Sequence, residues 1–268
     1  MTPGPHPSVR LRTQRLARDA SGYTVWRVQE EQRTLEAPKT ALVLCDVWDR
    51  HTCRGAEERL VALLPRMQRV TTAMRERGAL VVHAPSDTRD YVALYGDTPA
   101  RRRVFDCPQV EPPPDLPHDD PPLPVYQTDP VCDTCPDEEH PYPWPKDWRR
   151  PPATRQHPAI TIDQERDIIS CQGQELWPYY RHRGITQVLL MGVHTNFCIL
   201  NRTFAVKQMV RWGVPIALIR DLTDSLYNPA SPPYVSHEEG TRLIVEYIEK
   251  FWCPTLASGD LLAGGSAS

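Results

Sequence analysis

Apolar and polar positions along this chain follow two rhythms. Short, nearly unbroken apolar runs occupy residues 40–45, 79–82, 188–193 and 214–219. Runs of that length without polar interruption are typical of parallel strands buried on both faces. Between them, apolar residues recur at helical spacing: Leu60, Leu63, Leu64, Met67, Val70 and Met74, then Leu176, Trp177 and Tyr180. The same spacing returns in Ile199, Thr203, Val206 and Val210, and in Leu243, Ile244, Tyr247 and Ile248. Pro65 predicts a short first piece and a main helix beginning near it, and Gly78 is the expected residue just past its end. Residues 159–162 read as a short third strand, residues 170–183 as a helix stopped by Gly184, and the helix after Cys198 as running to Gly213. Strands alternating with helices predict an α/β fold. The expected architecture is a doubly wound, mostly parallel, Rossmann-like three-layer α/β/α sheet with right-handed crossovers.

The flanks differ from this centre. Residues 1–38 read as an N-terminal arm and edge strand: flexible to residue 22, then loosely alternating over 23–35 as a strand or hairpin at a sheet edge. Residues 39–256 form one domain, interrupted by an insertion at 89–158. Of the 29 prolines, 16 lie between Pro108 and Pro158. Tyr142, Trp144 and Trp148 predict that the insertion packs on the domain as a flap, with polyproline conformation as the alternative. The Gly/Ser/Ala-rich residues 257–268 read as a flexible tail.

Composition narrows the function. A formal net charge of −3 over 268 residues leaves no basic footprint for nucleic acid. The longest apolar runs are too short to span a bilayer. Residues 1–22 contain no apolar signal-peptide core, so a cytoplasmic location is expected. A small-molecule substrate and a homo-oligomer are the expected partners. Eight cysteines are too sparse in a chain of this length for a disulfide scaffold. Cys132 and Cys135, with Cys107 and His140 nearby, leave three states open: a structural zinc site, a disulfide or free thiols.

No glycine-rich dinucleotide or P-loop fingerprint is present, and no G-x-S-x-G elbow. Polar residues stand instead at the predicted strand ends: Asp46 after the first, His83 after the second, residues 163–165 after the third and Cys198 shortly after the fourth. In an open α/β sheet such ends lie on one edge and can converge. Cys198 follows a strand and a turn and opens a helix, with Thr195 or Asn196 as N-cap. Outward-pointing amides there would lower its pKa and make it a nucleophile. A small buried hydrophobe is the competing role for such a cysteine.

The sequence resembles the isochorismatase-like cysteine hydrolases, the superfamily of nicotinamidases, N-carbamoyl amide hydrolases and isochorismatase. The resemblance rests on Ala41-Leu-Val-Leu-Cys-Asp46, on Arg183-Gly-Ile followed by Gly192-Val-His-Thr-Asn-Phe-Cys198, and on Gly213-Val-Pro-Ile-Ala-Leu-Ile-Arg-Asp221. It spans residues 40–83 and 159–251, outside the arm and the insertion. It implies Cys198 as nucleophile and Asp46 as the base that takes its proton. It also implies a cis peptide before His194, and an oxyanion hole from the His194 and Cys198 amides. Asn196, Asp49, His51 and Tyr227 are the further residues expected to line the site.

The sequence departs from that pattern at one catalytic position. Where the superfamily places a lysine, counting back from Gly184 reaches Glu165. Three readings follow: His51 or His194 supplies the positive charge; Lys146 or an arginine of the insertion supplies it; or the site no longer hydrolyses anything. The functional expectation is therefore a cysteine hydrolase acting on an amide-type C–N bond through Cys198, Asp46 and the Glu165 position, without a cofactor. The alternatives are a non-catalytic binding or assembly module, and a hydrolase holding a divalent metal through Asp46, Asp49, His51 and Glu165.

Overall fold

The computed structural model describes residues 6–125 and 153–263. Its strands are β1 (Ser8–Arg18), β2 (Thr24–Thr34), β3 (Thr40–Cys45), β4 (Leu80–Ala84), β5 (Ile168–Ile169), β6 (Gln187–Val193), β7 (Ile216–Asp224) and β8 (Thr255–Leu256). The helices are α1 (Arg54–Glu76), α2 (Tyr91–Tyr95), α3 (Pro99–Arg102), α4 (Gly173–Arg183), α5 (Cys198–Asn201), α6 (Val206–Arg211), α7 (His237–Phe251) and α8 (Ser258–Leu262).

The strands form one sheet in the order β2-β1-β8-β7-β6-β3-β4-β5. From β8 to β5 every neighbouring pair is parallel, while β1 is antiparallel to both β2 and β8. The expected mostly parallel sheet is therefore present. β3 and β6 are entirely buried, which accounts for their uninterrupted apolar sequence. Their side chains alternate between two cores. Val43 and Leu190 face the layer with α4, α6 and α7, and Leu42, Leu44 and Leu189 face the layer with α1 and α8. Gly192 pairs with Cys45 at a φ of 123°, and a Cβ there would meet the Cys45 carbonyl oxygen at 1.9 Å. Only glycine allows the ends of β3 and β6 to approach this closely. The strand order diverges at β3, with β4 on one side and β6 on the other. The open edge beside Cys45 and Val193 is thus a topological switch point, where α/β sheets form their sites.

Several local expectations are corrected. Residues 8–18, expected as flexible arm, are strand β1. Val9 and Leu11 are buried on one face and Gln14 on the other, where it bonds Glu249 of α7, and the intervening arginines obscure the alternation in the sequence. Helix α1 continues through Pro65. A proline removes the hydrogen bond to the carbonyl four residues earlier, here that of Val61, and both residues lie on the exposed face, where water can replace it. Residues 159–162 are not a strand. The main chain there bonds to side chains of α1: the Thr161 N–H donates to Gln68, and Arg75 donates to the Thr161 carbonyl. The third strand of the expected pattern is only the two residues of β5. The helix after Cys198 breaks into α5 and α6, with Arg202 extended at the break. Thr203 turns aside there to receive the N–H of Gly173 at the start of α4. The expected flexible tail begins with α8, where Asp221 accepts hydrogen bonds from the backbone and hydroxyl of Ser258 and Leu261 is buried.

Part of the proline-rich insertion packs on the helical layer. The Leu116 N–H reaches the Arg211 carbonyl, His118 stacks on Trp252 with ring centroids 4.2 Å apart, and Asp120 bonds Lys207 and Tyr247. Tyr142, Trp144, Trp148, Lys146, Cys132, Cys135 and His140 lie outside the described residues. No helix among those described is long and apolar enough to cross a membrane.

Behind the sheet edge, Arg75 and His83 both bond the buried Asp167 carboxylate, at 2.6–2.9 Å. Burial alone would raise the Asp167 pKa, but these partners and the Asp163 N–H lower it. A depressed carboxylate contributes stability above its unfolded pKa, about 3.9, and loses it as pH falls through the lower folded value. Asp167→Ala strands the Arg75 guanidinium and should cost about 3–5 kcal/mol. Urea titration at pH 7 measures that loss. The difference from wild type should shrink below about pH 4.

Candidate active site

Asp46 follows directly on β3 and takes a left-handed conformation, with φ at 51°. Such a backbone is costly for a non-glycine residue and persists where surrounding contacts hold it. Here the carboxylate is fully buried and accepts two hydrogen bonds. The Ser86 N–H reaches Oδ1 at 2.8 Å and Arg202 Nε reaches Oδ2 at 3.0 Å, with the Cys198 thiol as a further close neighbour. Arg202 extends its other edge to Asp87 at 2.5 Å.

Arg202 is the residue that sequence reasoning missed. It places a cation against Asp46, where the resemblance led a lysine to be expected. The signal was available: Arg202 lies four residues beyond Cys198, one helical turn on, and therefore on the same face. Glu165 does not join the site. It is exposed in a turn closed by Asp163, so the carboxylate expected at the lysine position stays away from Asp46. Neither histidine carries the charge. Burial lowers the pKa of His51, and burial followed by the nearby His51 and Arg59 lowers that of His194 further, so both rings are neutral at pH 7.

The pair is nonetheless ordered at the site. The Cys53 N–H donates to His51 Nδ1 at 2.9 Å, which places the proton of the neutral ring on Nε2. His51 Nε2 lies 3.0 Å from His194 Nε2 and donates to it. Both imidazoles line a cavity of about 370 Å³ with Trp48, Phe197, Leu226 and Cys198, and Asn201, Arg202 and Asp87 also line it. The Trp48 indole N–H is fixed to the Ser86 carbonyl at 2.7 Å. The Val193–His194 peptide bond is cis.

The expectation of a lowered Cys198 pKa is reversed. Burial pushes the thiol up, the neighbouring Asp46 charge pushes it further, and Arg202 and the His194 amide only partly offset them. Helix α5 has four residues, too few for a strong terminal dipole, and Phe197 rather than Thr195 or Asn196 is its N-cap. Burial also raises the Asp46 pKa, against Arg202, Cys198 and Ser86. Cysteine and carboxylate are thus a coupled pair sharing one proton, which rests on sulfur at neutral pH.

Three other expected site residues hold the scaffold instead. Asn196 is buried and bonds both the N–H and the carbonyl of Leu226. Tyr227 is fully buried, its hydroxyl bound to the Ser231 carbonyl and its ring against Gly240. Asp49 accepts bonds from Thr154 and from the Arg155 N–H, clasping the chain where it returns from the insertion. Among the described residues, no three His, Cys, Asp or Glu side chains are grouped to hold a metal ion, so Asp46, Asp49, His51 and Glu165 do not form the metal set considered above.

A cysteine hydrolase from Pseudomonas syringae pv. phaseolicola 1448A superposes on this architecture with a TM-score of 0.52 and 14% identity, over 85% of this chain and 92% of that one. The chain has the isochorismatase-like cysteine hydrolase fold. An isochorismatase from Pseudomonas putida KT2440 also aligns, at 10% identity over 84% of this chain and 91% of that one, with a TM-score of 0.49. No family model and no curated protein matches the sequence. The likeness is therefore one of architecture. Within the isochorismatase-like frame, the placement of Arg202 against Asp46 is read from this chain's own contacts.

A raised thiol pKa has a direct kinetic expression. The thiolate is the alkylated species, so iodoacetamide labelling of Cys198, followed by peptide mass spectrometry, should accelerate about tenfold per pH unit from pH 6.5 to pH 9. A plateau below pH 8 would contradict the buried, carboxylate-paired thiol described here.

Proposed function

We propose that this chain is a cysteine hydrolase that cleaves an amide-type C–N bond of a small molecule. The observation that carries the reading is the Cys198 thiol set against a buried Asp46 carboxylate, beside a cavity large enough for a small organic substrate. Nucleophile and base within hydrogen-bond reach, with the base oriented by a third group, is the arrangement covalent catalysis needs. Arg202 is that third group.

The chemistry runs in two stages. Sulfur attacks the carbonyl carbon as its proton passes to Asp46, forming a C–S bond and an oxyanion. Collapse breaks the C–N bond, and Asp46 returns the proton to the departing nitrogen. Water then attacks the thioester, giving its proton to Asp46 and, as the C–S bond breaks, regenerating the thiol. The His194 amide already points at the sulfur. With the Cys198 amide it forms the proposed oxyanion hole, and each such donor is worth about 3–4 kcal/mol in the transition state. Arg202 keeps the Asp46 carboxylate ionised enough to act as a base despite its burial. Trp48, His51, Phe197 and Leu226 supply a largely apolar wall for the substrate body.

The described cysteines, Cys45, Cys53, Cys107, Cys171, Cys198 and Cys253, are all free thiols. Free thiols persist where glutathione keeps them reduced, and this supports the cytoplasm as the proposed compartment.

A screen of small primary amides and ureido compounds for ammonium release tests the reading. Cys198→Ala should abolish turnover. Asp46→Asn should lower kcat by about 10²–10⁴-fold, the usual worth of a positioned general base. Arg202→Lys should retain more activity than Arg202→Met, because it keeps the charge beside Asp46. Turnover that survives Cys198→Ala, or a panel showing neither turnover nor an acyl adduct on Cys198 by intact mass, overturns the assignment.

A further inference from the structure

A second cavity, of about 210 Å³, adjoins the first. Arg202 and Asp87 line both, so their ion pair is the partition between the two spaces. The walls of the two differ in chemistry. The first is mainly aromatic and aliphatic, whereas the second carries Ser86, Tyr91, Arg101 and the Cys171 thiol.

Every charge around the second cavity is already answered. Arg101 is held by both oxygens of Glu175, at 2.5 and 2.7 Å. Arg202 is divided between Asp46 and Asp87. What remains unspent is neutral. The Ser86 hydroxyl and the Tyr91 phenol are buried with no hydrogen-bond partner beyond the Cys171 sulfur, a weak acceptor, and Ser86 as a whole is 6% exposed. Both lie beside the Cys171 thiol. Two buried hydroxyls left unsatisfied cost free energy that a bound hydrogen-bonding group would recover. A space of this size exceeds the share of one water several-fold.

We propose that the second cavity is a substrate subsite for an uncharged carbonyl-bearing group, of the carboxamide or ureido class, held by the Ser86 and Tyr91 hydroxyls. A carbonyl oxygen has two lone pairs and accepts one hydrogen bond from each. A carboxylate would meet Asp87 and Asp46 with no unpaired cation among the described residues to receive it, and an alkyl group would leave both hydroxyls unsatisfied. This inference rests on the hydrolase reading, and makes the substrate a molecule with two carbonyl groups: one at Cys198 and one beyond the Arg202–Asp87 partition.

The test uses the Cys198→Ala protein, which binds without turning over, so it does not depend on catalysis. Isothermal titration with the diamides from malonamide to adipamide is compared with the matching monoacid amides, succinamate among them, and with butanamide. The best diamide should bind about tenfold to a hundredfold more tightly than either comparator, the worth of one or two recovered hydrogen bonds. Ser86→Ala with Tyr91→Phe should erase that advantage and leave butanamide binding unchanged. Both substitutions are conservative, and Ser86→Ala keeps the backbone N–H that holds Asp46. A circular-dichroism melt matching the parent confirms that the double variant folds. The subsite is overturned if butanamide or a monoacid amide binds as well as the best diamide, or if the advantage survives the double substitution. Diamide selectivity with no acylation of Cys198 in the unsubstituted protein would overturn the hydrolase reading and, with it, the role of this cavity as a substrate subsite.

Discussion

The contact on which the site depends is the ion pair between Arg202 and the buried Asp46 carboxylate. Removing a carboxylate from water is expensive, and one good partner seldom returns more than the cost. Asp46 therefore sits near the limit of what burial permits: its pKa is raised, yet a guanidinium holds one oxygen and a backbone amide the other. Those bonds also fix three pieces of the fold relative to one another. Asp46 ends β3, Ser86 follows β4, and Arg202 follows the helix that begins at Cys198. The left-handed turn at Asp46, the close approach at Gly192 and the break after α5 all serve to bring these groups together.

The central sheet was legible because burial on both faces leaves an apolar run with no competing reading. β3, β4, β6 and β7 all lie where such runs stand. The periphery was harder. β1 is buried at only a few positions, and its arginines dilute the alternation of Val9 and Leu11. The two residues of β5 are too few for any period to be visible, and of the residues 159–162 upstream of them only Ile160 is buried, in the core beside α1. Within the site, Cys198 and Asp46 were marked by their places at strand ends. Arg202 was hidden for a different reason: a cation was expected where a lysine would stand, at position 165, whereas the guanidinium beside Asp46 comes from just past the helix that begins at Cys198. The rise in the Cys198 pKa was not legible either, because a sequence shows that a helix begins but not how short or how deeply buried it is.

The insertion illustrates how scaffold and site are linked. On its entry side, His118 and Asp120 fasten it to α6, α7 and Trp252. On its return, Thr154 and Arg155 are clasped by Asp49, three residues beyond the proposed base. Asp49, which the sequence suggested as a site residue, thus contributes by fixing where the chain comes back beside the cavity. Trp48, between Asp46 and Asp49, is itself bonded to the Ser86 carbonyl and forms part of the cavity wall.

The replacement of an amine by a guanidinium has a consequence for proton inventory. An arginine stays protonated throughout the range in which proteins function, and the two imidazoles beside it are held neutral by burial. Under the proposed chemistry, the hydrogen on the Cys198 sulfur is then the one that Asp46 relays. It is lent to Asp46, delivered to the leaving nitrogen and restored from water. A proton relayed in this way ties the departure of one product to the arrival of the next solvent molecule. The two half-reactions are therefore linked in strict succession, with Asp46 as the common relay.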